Sequence, residues 1–267
     1  MHGDTEHRRG LASSCATGLL ALGAAALIAC SSSPPQPATP AELVDQVTYE
    51  SGEQAQISLQ SGAEDGLSVT HEVVRSGDAA GVAVLEPDDP QFRGNVGYRS
   101  EWQSDFHADA GGEFWYGVSV YVPDDWNQGS NDNFFNDRII FQFHEGTGSS
   151  PAMSLHLRAD DDRFVLRRRT VDGFAYPWSM PFETDRWYDF VFHVRWSQDD
   201  DGFVQLFLDQ RLIGEYQGRT LVDGESIYTK WGIYGQPTRI LIDDVRIAEG
   251  RTGGLDLVSP EEPLPQP

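Results

Sequence analysis

From residue 43 onward, short runs of β-forming residues follow one another, separated by turns rich in Gly, Asp, Asn and Pro. The clearest runs occupy 117–122, 138–144, 152–158, 164–170, 187–196, 203–208, 228–234 and 238–248. Side chains alternate across a strand with a period of two, whereas a helix repeats every 3.6 residues. No long stretch carries the helical period, so the chain is predicted to be all-β. Asp199-Asp200-Asp201-Gly202 reads as a tight turn between two runs, because Gly takes positive φ without cost. The turn is expected to be solvated, with a structural calcium ion as the alternative. Many short strands with regular turns predict a two-sheet β-sandwich or β-jelly roll rather than a parallel α/β fold.

The chain of 267 residues divides into four parts on this reading. Residues 1–29 have the pattern of an export signal: Arg8 and Arg9 precede a stretch of small apolar residues ending Leu27-Ile28-Ala29-Cys30. That ending resembles a bacterial lipobox, which implies cleavage before Cys30 and lipidation of its thiol. Residues 30–42, rich in Ser and Pro, are expected to be a flexible tether. Residues 43–250 form the domain, and 251–267 are expected to be a disordered tail. The predicted location is the cell envelope, lipid-anchored at the outer membrane. Both cysteines, at 15 and 30, precede the domain, which excludes a disulfide framework.

The formal net charge is −23. Phosphate binding needs a basic surface, so nucleic acid is excluded as a partner. Any anion site must be a local cationic patch on an acidic, monomeric body. Of the 19 basic residues other than His, Lys230 is the only lysine. That singular use suggests a position that wants a compact ammonium.

Alternation sorts the strand residues into faces. Phe141 and Phe143 share one face, Gln142 and His144 the other. Trp231 and Ile233 oppose Tyr228, Lys230, Gly232 and Tyr234, with Gly232 read as a gap where a ligand could approach. Arg99 and Glu101 share a face; so do Ser154, His156 and Arg158, and so do His193 and Arg195. In so acidic a protein an ordinary wet face should be rich in Asp and Glu. These faces are cationic or neutral instead, which predicts a concave anion-binding sheet.

Arg99-Ser100-Glu101, Gln142-Phe143-His144 and Tyr228-Thr229-Lys230-Trp231-Gly232-Ile233-Tyr234-Gly235-Gln236 occur in that order. This set resembles the three signature blocks of concanavalin A-like jelly-roll polysaccharide lyases, which in family 7 alginate lyases read about R-[ST]-E, Q-[IV]-H and Y-F-K-x-G-x-Y-x-Q. The segments 187–197 and 201–204 look more like the heparin lyase I and glucuronan lyase (family 20) group. Gln103 stands where alginate lyases commonly carry a second Arg, and positions 143 and 231 hold Phe and Trp.

The resemblance implies β-elimination from a uronate polymer that is glucuronan-, alginate- or heparin-like. Arg99 and Gln142 would neutralise the substrate carboxylate, and His144 and Tyr234 would serve as base and acid. In syn elimination Tyr234 could fill both roles; in anti elimination His144 is the base. Lys230 is expected to favour the tyrosinate of Tyr234. Glu101, Tyr228 and Gln236 are expected to support the site, and Arg138, His156, Arg158, Arg167, Arg169, His193, Arg195 and Arg239 are candidate substrate contacts. No catalytic metal or other cofactor is expected. Two other classes compete: a non-catalytic carbohydrate-binding surface lipoprotein, and a jelly-roll hydrolase. A retaining hydrolase needs two neighbouring carboxylates, often as E-x-D-x-E on one strand. The sequence offers none.

Overall fold

The computed structural model describes residues 38–50, 57–132, 138–146 and 150–264. The expected signal segment, tether start and Cys30 lie outside these residues. Sixteen strands are present among them: β1 (Glu42–Val47), β2 (Ile57–Ser61), β3 (Leu67–Thr70), β4 (Ala80–Leu85), β5 (Arg99–Ser104), β6 (Ala108–Asp109), β7 (Glu113–Val122), β8 (Arg138–Glu145), β9 (Met153–Arg158), β10 (Arg163–Thr170), β11 (Gly173–Pro181), β12 (Arg186–Arg195), β13 (Phe203–Leu208), β14 (Arg211–Gln217), β15 (Ser226–Gly235) and β16 (Thr238–Glu249). They form two antiparallel sheets. The first runs β14-β13-β12-β7-β16-β4-β3 with β1 on β16, and the second runs β11-β10-β9-β8-β15-β5-β2 with β6 on β15. Sequence-distant strands lie side by side, as in β7 against β16 and β8 against β15, which makes this a β-sandwich of jelly-roll type.

The predicted apolar faces meet between the sheets. Phe141 and Phe143 of the second sheet pack on Phe192 of the first, the Phe143 ring edge-on at 5.2 Å. Trp102, Trp196 and Trp231 are fully buried. Two of these indoles keep a partner, Trp196 Nε1 donating to the Tyr116 hydroxyl at 2.7 Å and Trp231 Nε1 to that of Tyr49 at 2.9 Å, while Trp102 Nε1 is buried without one. With one face of each strand consumed by this core, the second sheet's outward row is left to polar residues.

One element departs from the expected pattern. The segment taken for a disordered tail is ordered through residue 264. A short helix, α1 (Gly254–Val258), lays Val258 against Trp115, Val191 and Ala248. Apolar Leu255 and Val258 sit among the polar residues whose composition suggested disorder, and they anchor it. The acidic turn is pinned at Asp201, which accepts from Ser197 Oγ at 2.5 Å and from Arg195 at 3.0 Å.

Candidate active site

The register of the second sheet brings the three sequence blocks together. β15 lies between β5 and β8, so Lys230 is flanked by Gln103 and Gln142, Tyr228 faces His144, and Tyr234 faces Arg99. The row continues outward from Gln142 to Ser154 on β9 and Arg167 on β10. All these side chains stand on the face away from the core.

The centre of the row is a desolvated charge cluster. Glu101 is 1% exposed, Gln142 3% and Lys230 5%. Gln142 Nε2 donates to Glu101 Oε1, and Arg99 Nη1 lies 3.4 Å from Glu101 Oε2. Burial pushes the Glu101 carboxyl up against the pull of Lys230 and Arg99, and pulls the Lys230 ammonium down against that of Glu101. The Arg99 guanidinium also covers the Tyr234 ring, 4.7 Å from its centroid, and its Nη2 donates to the Val96 carbonyl at 2.5 Å. Arg99 Nε is buried without a hydrogen-bond partner.

His144 stacks on Tyr228 with centroids 5.1 Å apart. Its Nδ1 faces the Glu145 backbone carbonyl at 2.7 Å. A carbonyl only accepts, so Nδ1 carries the proton and Nε2 keeps its lone pair. Burial holds this imidazole below the usual histidine range, with Lys230 and Arg99 adding to the effect. Burial also pushes the Tyr228 phenol up. The face therefore presents a fixed guanidinium, an ammonium, an amide, a neutral imidazole and a phenol around one buried carboxyl. Such a set can bind an anion, stabilise developing negative charge and move a proton.

A family model described as polysaccharide lyase matches residues 45–247. The chain belongs to the polysaccharide lyase family. No curated protein sequence matches it. Among solved structures, this lyase is similar to an endo-β-1,4-glucuronan lyase from the fungus Trichoderma reesei. The identity is 18% and the TM-score 0.63, over 83% of this chain and 100% of that one. It also resembles the globular domain of T. cruzi calreticulin at 8% identity and TM-score 0.53, over 81% and 92% of the two chains. At these identities the likeness concerns the fold alone.

Several candidate residues of the lyase stand elsewhere than expected. His193, Arg195 and Arg239 belong to the other sheet, on β12 and β16. There His193 stacks on Trp115 at 3.6 Å and bonds Glu113, while Arg195 pairs with Asp201 and Arg239 with Asp125. Alternation assigns a residue to a face of its own strand but not to one of two sheets. Arg138 is displaced by a β-bulge: Ile139 faces His156 while Phe141 faces Leu155, so one extra residue enters β8. Every side chain beyond the bulge flips, and Arg138 turns to Trp126, Asn127 and Gly129. Arg158 pairs with Asp161 at the exposed end of β9. Arg169 bridges Glu145 and Asp223. Gln236 holds Asn131, accepting its backbone N–H at 3.0 Å and donating to its carbonyl at 3.2 Å. Of the candidate substrate contacts, His156 and Arg167 remain on the polar face, with His156 Nε2 2.7 Å from Ser154 Oγ.

Two details of the block at 228–236 change. Gly232 is no opening. At φ +121° its Cβ position would meet the Ser100 carbonyl oxygen at 2.3 Å, so the glycine admits the β5 backbone and a bulge. Lys230 Nζ bonds Gln60 Oε1 at 3.1 Å and covers the Tyr228 ring, while the cation over Tyr234 is Arg99. Gln60 is the residue that sequence reading missed. Its Oε1 also accepts from Arg99 Nη1 at 2.9 Å, and its Nε2 donates to Gln103 Oε1 at 2.7 Å. Gln103 thus fixes the amide that ties both cations together. A lone Gln in β2 carries no motif that could have announced this.

Proposed function

We propose that this polysaccharide lyase cleaves a 4-linked uronate polymer of the glucuronan kind by β-elimination on the polar face of the second sheet. The observation that carries the proposal is the Arg99–Glu101–Gln142–Lys230 cluster with His144 and Tyr234 at its border. In the reaction the C5–H and C4–O4 bonds break and a C4=C5 double bond forms, the proton passing finally to O4. The C5 proton is poorly acidic while the adjacent carboxylate is charged, so neutralising that carboxylate lowers the barrier. Arg99 and the Gln142 amide supply this, and Glu101 holds both donors in place. Neutral His144 can take the C5 proton on Nε2, and the Tyr234 phenol can protonate O4. In the syn course Tyr234 starts as the tyrosinate, takes the C5 proton and hands it on to O4.

The glucuronan preference draws on the neutral Gln60–Gln103 pair. Heparin-like polymers carry several anionic groups per disaccharide, and this cluster offers two cations against one buried carboxyl. A retaining hydrolase would need a second carboxyl about 5–5.5 Å from the first, and the cluster has only Glu101. Incubation with glucuronan, alginate and heparin, followed by ultraviolet absorbance, tests the proposal. Elimination creates a conjugated unsaturated uronate, and hydrolysis or binding does not. Rising absorbance on glucuronan is expected; no rise on any of the three refutes elimination.

The chain is further proposed to be exported and anchored through lipidated Cys30, on the strength of the sequence Leu27-Ile28-Ala29-Cys30. Globomycin should cause unprocessed precursor to accumulate; normal processing under the drug would contradict the anchor.

A further inference from the structure

The second sheet ends at an edge strand whose exposed residues the core does not explain. On β11, Phe174 is 45% exposed and Tyr176 64%. Their orientation follows from register. Arg169 faces Phe174 and Arg168 faces Ala175, yet Leu166 faces Trp178. β11 therefore carries one residue more than β10 there, and both Tyr176 and Pro177 oppose Arg167. A bulge of this kind re-aims side chains. Trp178 and Arg168 turn inward, where they line a small apolar cavity with Met153, Leu206 and Tyr216. Phe174 and Tyr176 are left on the outward side with Arg167, whose guanidinium lies 4.6 Å from the Phe174 centroid. Arg167 is also the end of the row that starts at Lys230 and passes through Gln142 and Ser154.

We propose that Phe174 and Tyr176, with Arg167 between them and the catalytic row, form a distal sugar-binding platform for the polymer that the cluster cleaves. The proposal rests on the polyuronate reading of the site. Rows across a sheet run perpendicular to its strands, and adjacent strands lie about 4.8 Å apart. From Gln142 on β8 to Tyr176 on β11 is thus roughly 14 Å, a span of a few sugar rings. A polymer laid along the row meets the charge cluster at one end and two aromatic rings at the other. Aromatic faces take the apolar C–H side of a sugar ring, and Arg167 supplies a charge for its carboxylate. Pro177 and Pro181 interrupt the donors of this edge, so pairing with another strand is disfavoured and the exposed rings remain available to a glycan.

The test compares wild type with Phe174→Ala and Tyr176→Ala on glucuronan oligomers of increasing length and on polymer. The variants should raise KM on polymer roughly three- to tenfold with kcat unchanged, and match wild type on the shortest cleaved oligomer. Equal kinetics at every length, or an equal loss at every length, overturns the platform. Affinity electrophoresis in glucuronan gels reads binding without turnover. Retardation weakened in both variants supports the platform, even if wild type proves to lack elimination activity. Unchanged retardation in the variants, or none in wild type, overturns it. Failure of elimination alone counts against the proposed function and not against this site.

Discussion

At the scale of single residues, the site depends on side chains that orient one another. Gln60 is the clearest case, since one oxygen receives both Arg99 and Lys230. A hydrogen bond to a charged group contributes about 1.5–3 kcal/mol. Gln60→Ala should therefore lower kcat/KM by roughly ten- to a hundredfold, with little change in the denaturation midpoint because Gln60 is only half-buried. Steady-state kinetics beside urea unfolding checks both halves. His144 gives a pH signature. Its folded value lies below the ordinary 6.5, so the neutral base persists as the pH falls to that point. The acid limb of kcat/KM is expected below pH 6.5. Stability should be unaffected by this group above 6.5 and fall below it, because the unfolded chain takes up the proton first. An acid limb above 6.5 would remove His144 from the role of base.

At the scale of elements, the bulges decide what reaches the face. Alternation predicted the faces of Gln142, His144 and Lys230 because each strand is regular where those residues sit, and that of Tyr234 because β15 keeps its register with β5 across the bulge it makes against β8. It misplaced Arg138 because the extra residue in β8 leaves no mark in the hydrophobic pattern: Ile139, Ile140 and Phe141 read as one apolar run. It could not divide His193 and Arg195 from the site, since both sheets expose one polar face. The role of Gly232 was hidden for a related reason: a sequence shows the missing side chain but not the β5 backbone that fills its place. Gly232→Ala should cost about 2–4 kcal/mol, from the positive φ and the clash with Ser100 together. Chemical denaturation measures this directly. A loss under about 0.5 kcal/mol would mean that the strand can shift to admit the methyl group.

At the scale of the whole molecule, the jelly roll was legible in the sequence because many short strands and turns leave few other ways to bury one face each. Calreticulin's globular domain shares that fold, so the sandwich alone does not choose an activity. What distinguishes this chain is a cationic cluster held on a body of net charge −23. Burial makes that possible, since charges in a desolvated patch act on a bound ligand more strongly than the screened surface charges around them. The central claim is that this patch performs elimination through Tyr234 and its neighbours. Tyr234→Phe removes one hydroxyl and leaves the ring under Arg99, so its turnover on glucuronan is the most direct measurement. The account predicts that the ultraviolet signal of unsaturated ends disappears while retardation in glucuronan gels persists. Full turnover by Tyr234→Phe would contradict it.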